Sequence, residues 1–176
     1  MNSDLGNRDL ARLQQEIAAA VAGLSDDQWS WHPPGKWCTA EILEHLYLTY
    51  TGTIRGFERM LQAGEPRVTP VTWRQRGRRI VVLGFSYLPS GRVAPSHTRP
   101  RGLAAEKVRS EIVAKIGEMH EIITRSAEKF GSGRELLDHP ILGPLTAAQW
   151  MKFHRVHGMH HVKQMQRLRR EMETQG

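Results

Sequence analysis

Apolar residues recur along this chain at helical rather than strand spacing. Leu10, Leu13, Ile17 and Val21 lie three or four positions apart and predict a first helix over Asn7 to Ala22, closed by Gly23. Ser25 and Gln28 form the two ends of a capping box, which predicts a short helical turn. Trp31-His32-Pro33-Pro34-Gly35-Lys36-Trp37 admits no regular structure, because two prolines and a glycine interrupt it. A second helix is expected from Cys38-Thr39 to about Ala63, with Gly64 as its stop. Val108, Ile112, Ile116, Met119 and Ile123 place an apolar stripe on a third helix, Ala104 to Phe130. A last helix follows Thr146, a capping residue by type, and runs to about Met172.

The stretches between these helices read as irregular. Residues 65–103 are rich in proline, glycine and arginine, and Ile80 to Phe85 is their one apolar island. That island suits a short helix or strand, but no partner strand is visible for it. A connection of this length is unusual in a compact domain and is often functional. Asp138 to Leu145 reads as a turn-rich approach to the last helix. The expected fold is therefore all-α: a four-helix bundle, one domain over residues 1–176, with a long crossover between the second and third helices.

Composition narrows the class. The chain has 176 residues, 39% of them hydrophobic, enough for the core of one domain. No apolar run approaches the ~20 residues of a membrane helix. The first residues lack the basic and apolar regions of a secretory signal, so a cytoplasmic setting is expected. A single cysteine, Cys38, excludes an internal disulfide and a cysteine-rich zinc site. The net charge is +7, with Arg74, Arg76, Arg78 and Arg79 crowded together, Arg92, Arg99 and Arg101 following, and Arg167, Arg169 and Arg170 near the end. Such charge suits anionic metabolites or nucleic acid, and equally a solvated surface. No helix-turn-helix pattern accompanies it, and aromatic residues are not interleaved with it, which argues against nucleic acid.

The histidines change the picture. The chain has nine, four of them within Phe153 to His161. At about 100° per residue, Trp150, Phe153, His154, His157, His160, His161, Gln164 and Leu168 share one stripe of the last helix. Its ends are aromatic and aliphatic, the mark of a buried face, while its middle is imidazole. Buried polar rings are costly unless each finds a partner. Neutral imidazole is a ligand for zinc, nickel, iron or copper, and His157 and His161 stand one turn apart, as two helix histidines sharing an ion do. A polar bundle seam accounts for the same pair. The second helix offers a third ligand, His45, on a face with Cys38, Glu41, Ile42, Leu48, Thr49, Gly52 and Gly56. Its plainer reading is a half-buried histidine bonded to a carbonyl. The small residues beside it either admit a close neighbour or leave a cavity. Taken together, His45, His157 and His161 favour a metal, with His154, His160 and Gln164 as supporting or pocket residues. His97, His120 and His139 read as surface or turn residues. Glu41, one turn before His45, is a candidate base or orienting group.

Leu24 to Gln28 leading into Pro34-Gly35-Lys36-Trp37, Ala40 to Leu46, and His139 to Thr146 followed by His157 to Gln164 together resemble the DinB-like superfamily. The likeness runs from about Leu10 to Leu168, and Leu83-Gly84-Phe85 with Ala94-Pro95 resembles the long crossover of one of its branches. The resemblance implies a four-helix bundle in which a histidine of the second helix and a pair on the last bind a divalent metal: here His45, His157 and His161. Cys38 departs from the small hydroxyl residue that often caps that helix. The resemblance further implies thiol-dependent transfer with a low-molecular-weight bacterial thiol, or hydrolysis, on a small molecule. Zinc or nickel are the first expectations for the metal, manganese or iron the next, and a homodimer is compatible with a bundle of this size. The alternative is a non-catalytic, metal-stabilised bundle that binds nucleic acid or a protein.

Overall fold

The computed structural model describes residues 2–89 and 93–174, with side chains from Arg8 onward. Arg92, of the basic cluster, lies outside them. Among the described residues there are six α-helices: α1 (Asn2–Val21), α2 (Asp26–Ser30), α3 (Thr39–Ala63), α4 (Trp73–Arg79), α5 (Ala105–Phe130) and α6 (Ala147–Glu173). Between α5 and α6 a hairpin pairs β1 (Glu135–His139) with β2 (Gly143–Thr146). The four expected helices are α1, α3, α5 and α6, and the expected capping box at Ser25 and Gln28 closes in both directions. The protein is predominantly helical, and no helix among the described residues is long and apolar enough to cross a membrane.

Two expectations are corrected. The connection after α3 holds an unexpected helix, α4, which a capping box of Thr72 and Gln75 starts; the apolar island after it takes the helical one of its two expected forms, a π-helical turn at Ile80–Gly84. The all-α expectation also gives way to the β1–β2 hairpin. Its sequence reads as turns because Pro140 and Pro144 sit in it, but a two-stranded sheet has only edge strands, where a missing N–H is tolerated. The hairpin is irregular between Glu135 and Leu137, and Gly143 takes a positive φ of 73° at the turn into β2.

Contacts group the chain into two units, and α3, α5 and α6 contribute residues to both. In the unit of Met1–Tyr50, Val93–Ile116 and Gly158–Gly176, four helical segments meet. Gln14 of α1 donates to the Val113 carbonyl of α5 at 2.9 Å, and the Tyr47 hydroxyl of α3 donates to Glu111 at 2.6 Å. A Cβ on Gly158 of α6 would stand 2.6 Å from Leu13 and 3.0 Å from the Tyr50 hydroxyl, so glycine permits this close approach. Ile17, Leu43, Leu46, Ile112, Ile116 and Met165 supply the fully buried apolar volume.

In the unit of Thr51–Arg92 and Gly117–His157 the hairpin lies against helices. Leu136, Leu142 and Leu145 are fully buried, and the Trp150 indole donates to the Leu137 carbonyl at 3.1 Å. Gly56 admits Leu137 so closely that a Cβ would be 2.8 Å from it, which answers one of the small residues beside His45: it serves a close neighbour. Arg79 clasps the hairpin, donating to Leu142 O at 2.9 Å, to the Glu135 carboxylate at 3.0 Å and to Pro144 O. One arginine of the basic cluster is therefore structural, held by a planar fork that lysine does not provide.

Candidate metal centre

Helix α3 begins with Cys38 as its cap, and Glu41 accepts the Cys38 backbone N–H at 2.9 Å. Glu41 thus supplies the half of a capping box that satisfies the cap residue's own N–H, the half that a cap hydroxyl does not serve. Burial raises the Cys38 thiol above its usual range, which disfavours a thiolate.

Seven residues along α3, His45 is 5% exposed; on α6, His157 and His161 are each 7% exposed. One ring nitrogen from each of the three lies within 4.8 Å of the other two, and among the described residues no carboxylate or thiol joins the group. The His45 and His161 rings meet edge to face at 4.9 Å between centroids, Trp37 flanks His45 at 5.2 Å, and His157 stacks on Phe153 at 5.3 Å.

Hydrogen bonds set the tautomers. The Nδ1–H of His45 donates to the Thr98 carbonyl at 2.8 Å. The Gln164 amide nitrogen donates to His160 Nε2 at 3.1 Å, which turns its oxygen to accept the Nδ1–H of His161 at 2.7 Å. In both rings the proton sits on Nδ1, so Nε2 carries a lone pair. Burial lowers the pKa of His45, and lowers that of His161 to about 3 with a further contribution from His45. Both rings are neutral at neutral pH. Two neutral imidazoles with outer nitrogens tied to a carbonyl or an amide, beside the buried ring of His157, are a donor set that fits a divalent cation. An ion held by these three side chains alone would keep a coordination position open for something else.

The sequence reading paired His45 with a carbonyl or with a metal; the structure gives it the carbonyl at Nδ1 and also places it in the histidine cluster. Gln164 and His160 form one chain with His161. His154 is placed differently: fully buried, bonded to the Thr53 hydroxyl at 3.1 Å and stacked on Trp150. His139, expected at the surface or in a turn, is 8% exposed, because Nδ1 accepts the Ile141 and Leu142 N–H groups and the ring packs on Phe153 and Trp150.

Sequence reasoning missed Glu44. Its carboxylate, 3% exposed, accepts the Arg101 N–H at 2.8 Å and the Gly102 N–H at 3.1 Å, holding the segment that presents Thr98 to His45. The available signal was an acid between Leu43 and His45 in an otherwise apolar run. Thr98 itself acts through its carbonyl, which no residue type announces.

Residues 9–165, most of the chain, match the DinB superfamily, and the chain belongs to it. No curated protein and no solved structure matches.

Proposed function

We propose that this chain is a divalent-metal-dependent enzyme acting on a small molecule, first a thiol S-transferase and second a hydrolase. The observation that carries the reading is the pair of Nδ1–H donations, His45 to Thr98 and His161 to Gln164, which leave two Nε2 lone pairs beside His157. A divalent cation held by His45, His157 and His161 would supply Lewis acidity favouring thiolate over thiol or hydroxide over water. Burial keeps the His45 and His161 rings neutral, and their Nδ1–H bonds fix both in orientation. Gln164 and His160 are positioning residues in this account. Glu41, occupied by the Cys38 N–H, is left without a catalytic assignment.

The test is turnover by protein reconstituted with zinc, nickel, manganese or iron, using low-molecular-weight thiols with an aryl halide acceptor and, separately, activated esters. The account expects turnover with at least one metal, lost in His157→Ala while the helical circular dichroism is kept. Equal turnover by His157→Ala would overturn it. The alternative, a bundle binding nucleic acid, rests on the net charge of +7; salt-sensitive DNA binding that survives metal removal would replace the enzyme reading with it.

A further inference from the structure

Exposed large apolar side chains concentrate in one stretch: Trp73 is 76% exposed, Ile80 60%, Phe85 76% and Tyr87 59%. Alongside them lies a cavity of about 420 Å³, within the range of small-molecule sites. Its walls are apolar, from Val81, Val82, Leu88, Ile141, Leu142 and Phe153. The charged residues among its lining are Arg74 and Arg78, with no acid. Both are exposed, and among the described residues neither has an ion-pair partner, in contrast to Arg79 on the same helix. The Arg74 guanidinium lies 5.2 Å over the Trp73 ring, which holds a cation and an aromatic face together at the lining.

A polar group also lines this apolar space. His139 accepts two backbone N–H groups at Nδ1, so its proton sits on Nε2, and no protein partner of that N–H is found among the described residues. An apolar cavity that combines a spare donor with two cations lacking ion-pair partners and no acid is complementary to one ligand chemistry. We infer that this cavity binds an aromatic carboxylate: the ring system against Phe153, Val82 and Leu142, the carboxylate toward Arg74 and Arg78. None of the three clustered histidines lines the cavity, so the inference stands apart from the metal reading.

The test is isothermal titration calorimetry of the full, metal-free chain with 2-naphthoate and its neutral isostere 2-naphthamide. The expected result is one naphthoate per chain, with the amide about tenfold weaker. The double variant Arg74→Gln/Arg78→Gln should weaken naphthoate by about tenfold and leave the amide unchanged, two exposed charge contacts together amounting to roughly that. Gly77 lines the cavity within α4, and a Cβ there meets nothing within 4 Å. Gly77→Leu should therefore abolish binding of both compounds without lowering the melting temperature. No binding, equal affinity for acid and amide, or naphthoate binding unchanged in Gly77→Leu would each overturn the inference. So would self-association through this face, seen by sedimentation, that naphthoate does not reverse.

Discussion

His45 and Thr98, 53 positions apart, are joined by one 2.8 Å bond from a ring N–H to a backbone carbonyl. That bond decides which nitrogen of His45 remains a base. Because the acceptor is main chain, the bond depends on what holds residues 98–102 in place, and the Glu44 carboxylate does so through Arg101 N–H and Gly102 N–H. Glu44→Ala removes a buried acceptor of two backbone donors and should cost about 2–3 kcal/mol, by the usual cost of hydrogen bonds to a charged group. Urea unfolding measures it. Glu44→Gln, which keeps one amide oxygen, should recover part of the loss, and zinc affinity should follow the same order. Wild-type zinc affinity in Glu44→Ala would show that the segment is not held this way.

Gln164 orients His161 from the other side. Gln164→Leu keeps helix α6 and removes the acceptor of the Nδ1–H. Metal affinity should fall about 10–100-fold, as for lost outer-shell partners elsewhere, with little change in melting temperature of the metal-free protein. Competition with a chromophoric chelator reads this directly. Unchanged affinity would remove Gln164 from the centre.

Much of this arrangement is legible in the sequence. The stripe on α6 carries its own evidence, since Trp150, Phe153 and Leu168 are buried where the wheel puts them and His154, His157 and His161 are buried between them. His45 is legible as the histidine of an apolar helix face. The hairpin is not, because Pro140 and Pro144 read as breakers, and edge pairing that tolerates proline becomes visible only once the partner strand is placed. His139 is missed for the same reason: its burial follows from the hairpin and from Phe153 and Trp150. The roles of Thr98 and Glu44 rest on backbone atoms far away in sequence, which residue spacing does not encode.

Acid should unfold the metal-free protein early. Burial lowers His139 to about 4, and lowers His154 to about 3 with His139 contributing. Unfolded, each titrates near its usual 6.5, so below that pH the unfolded chain binds protons that the folded one refuses. Stability is then full above about pH 6.5 and falls as pH drops toward 4 for His139 and toward 3 for His154. Each contributes a slope of up to ~1.4 kcal/mol per pH unit inside its window. Urea unfolding at pH 7.5, 5.5 and 4.5 should show this decline, and a pH-independent free energy would contradict the burial argument.

Gly158 stands beside His157 where α6 meets Leu13 and Tyr50. Gly158→Ala introduces a Cβ at 2.6 Å from a Leu13 methyl, and overpacking of this kind should cost about 1–3 kcal/mol despite the better helix propensity of alanine. The variant's urea midpoint should fall. A rise would mean that Leu13 moves aside freely.

The central claim is that His45, His157 and His161 hold one divalent ion. Elemental analysis of untagged protein, beside His45→Ala and His157→Ala, tests it most directly. The account predicts one ion per chain in the wild type and none in either variant, with helical circular dichroism retained in all three. No bound metal after reconstitution with zinc, nickel, manganese and iron, or full occupancy in His157→Ala, would contradict it and leave the histidines as a polar seam of the core.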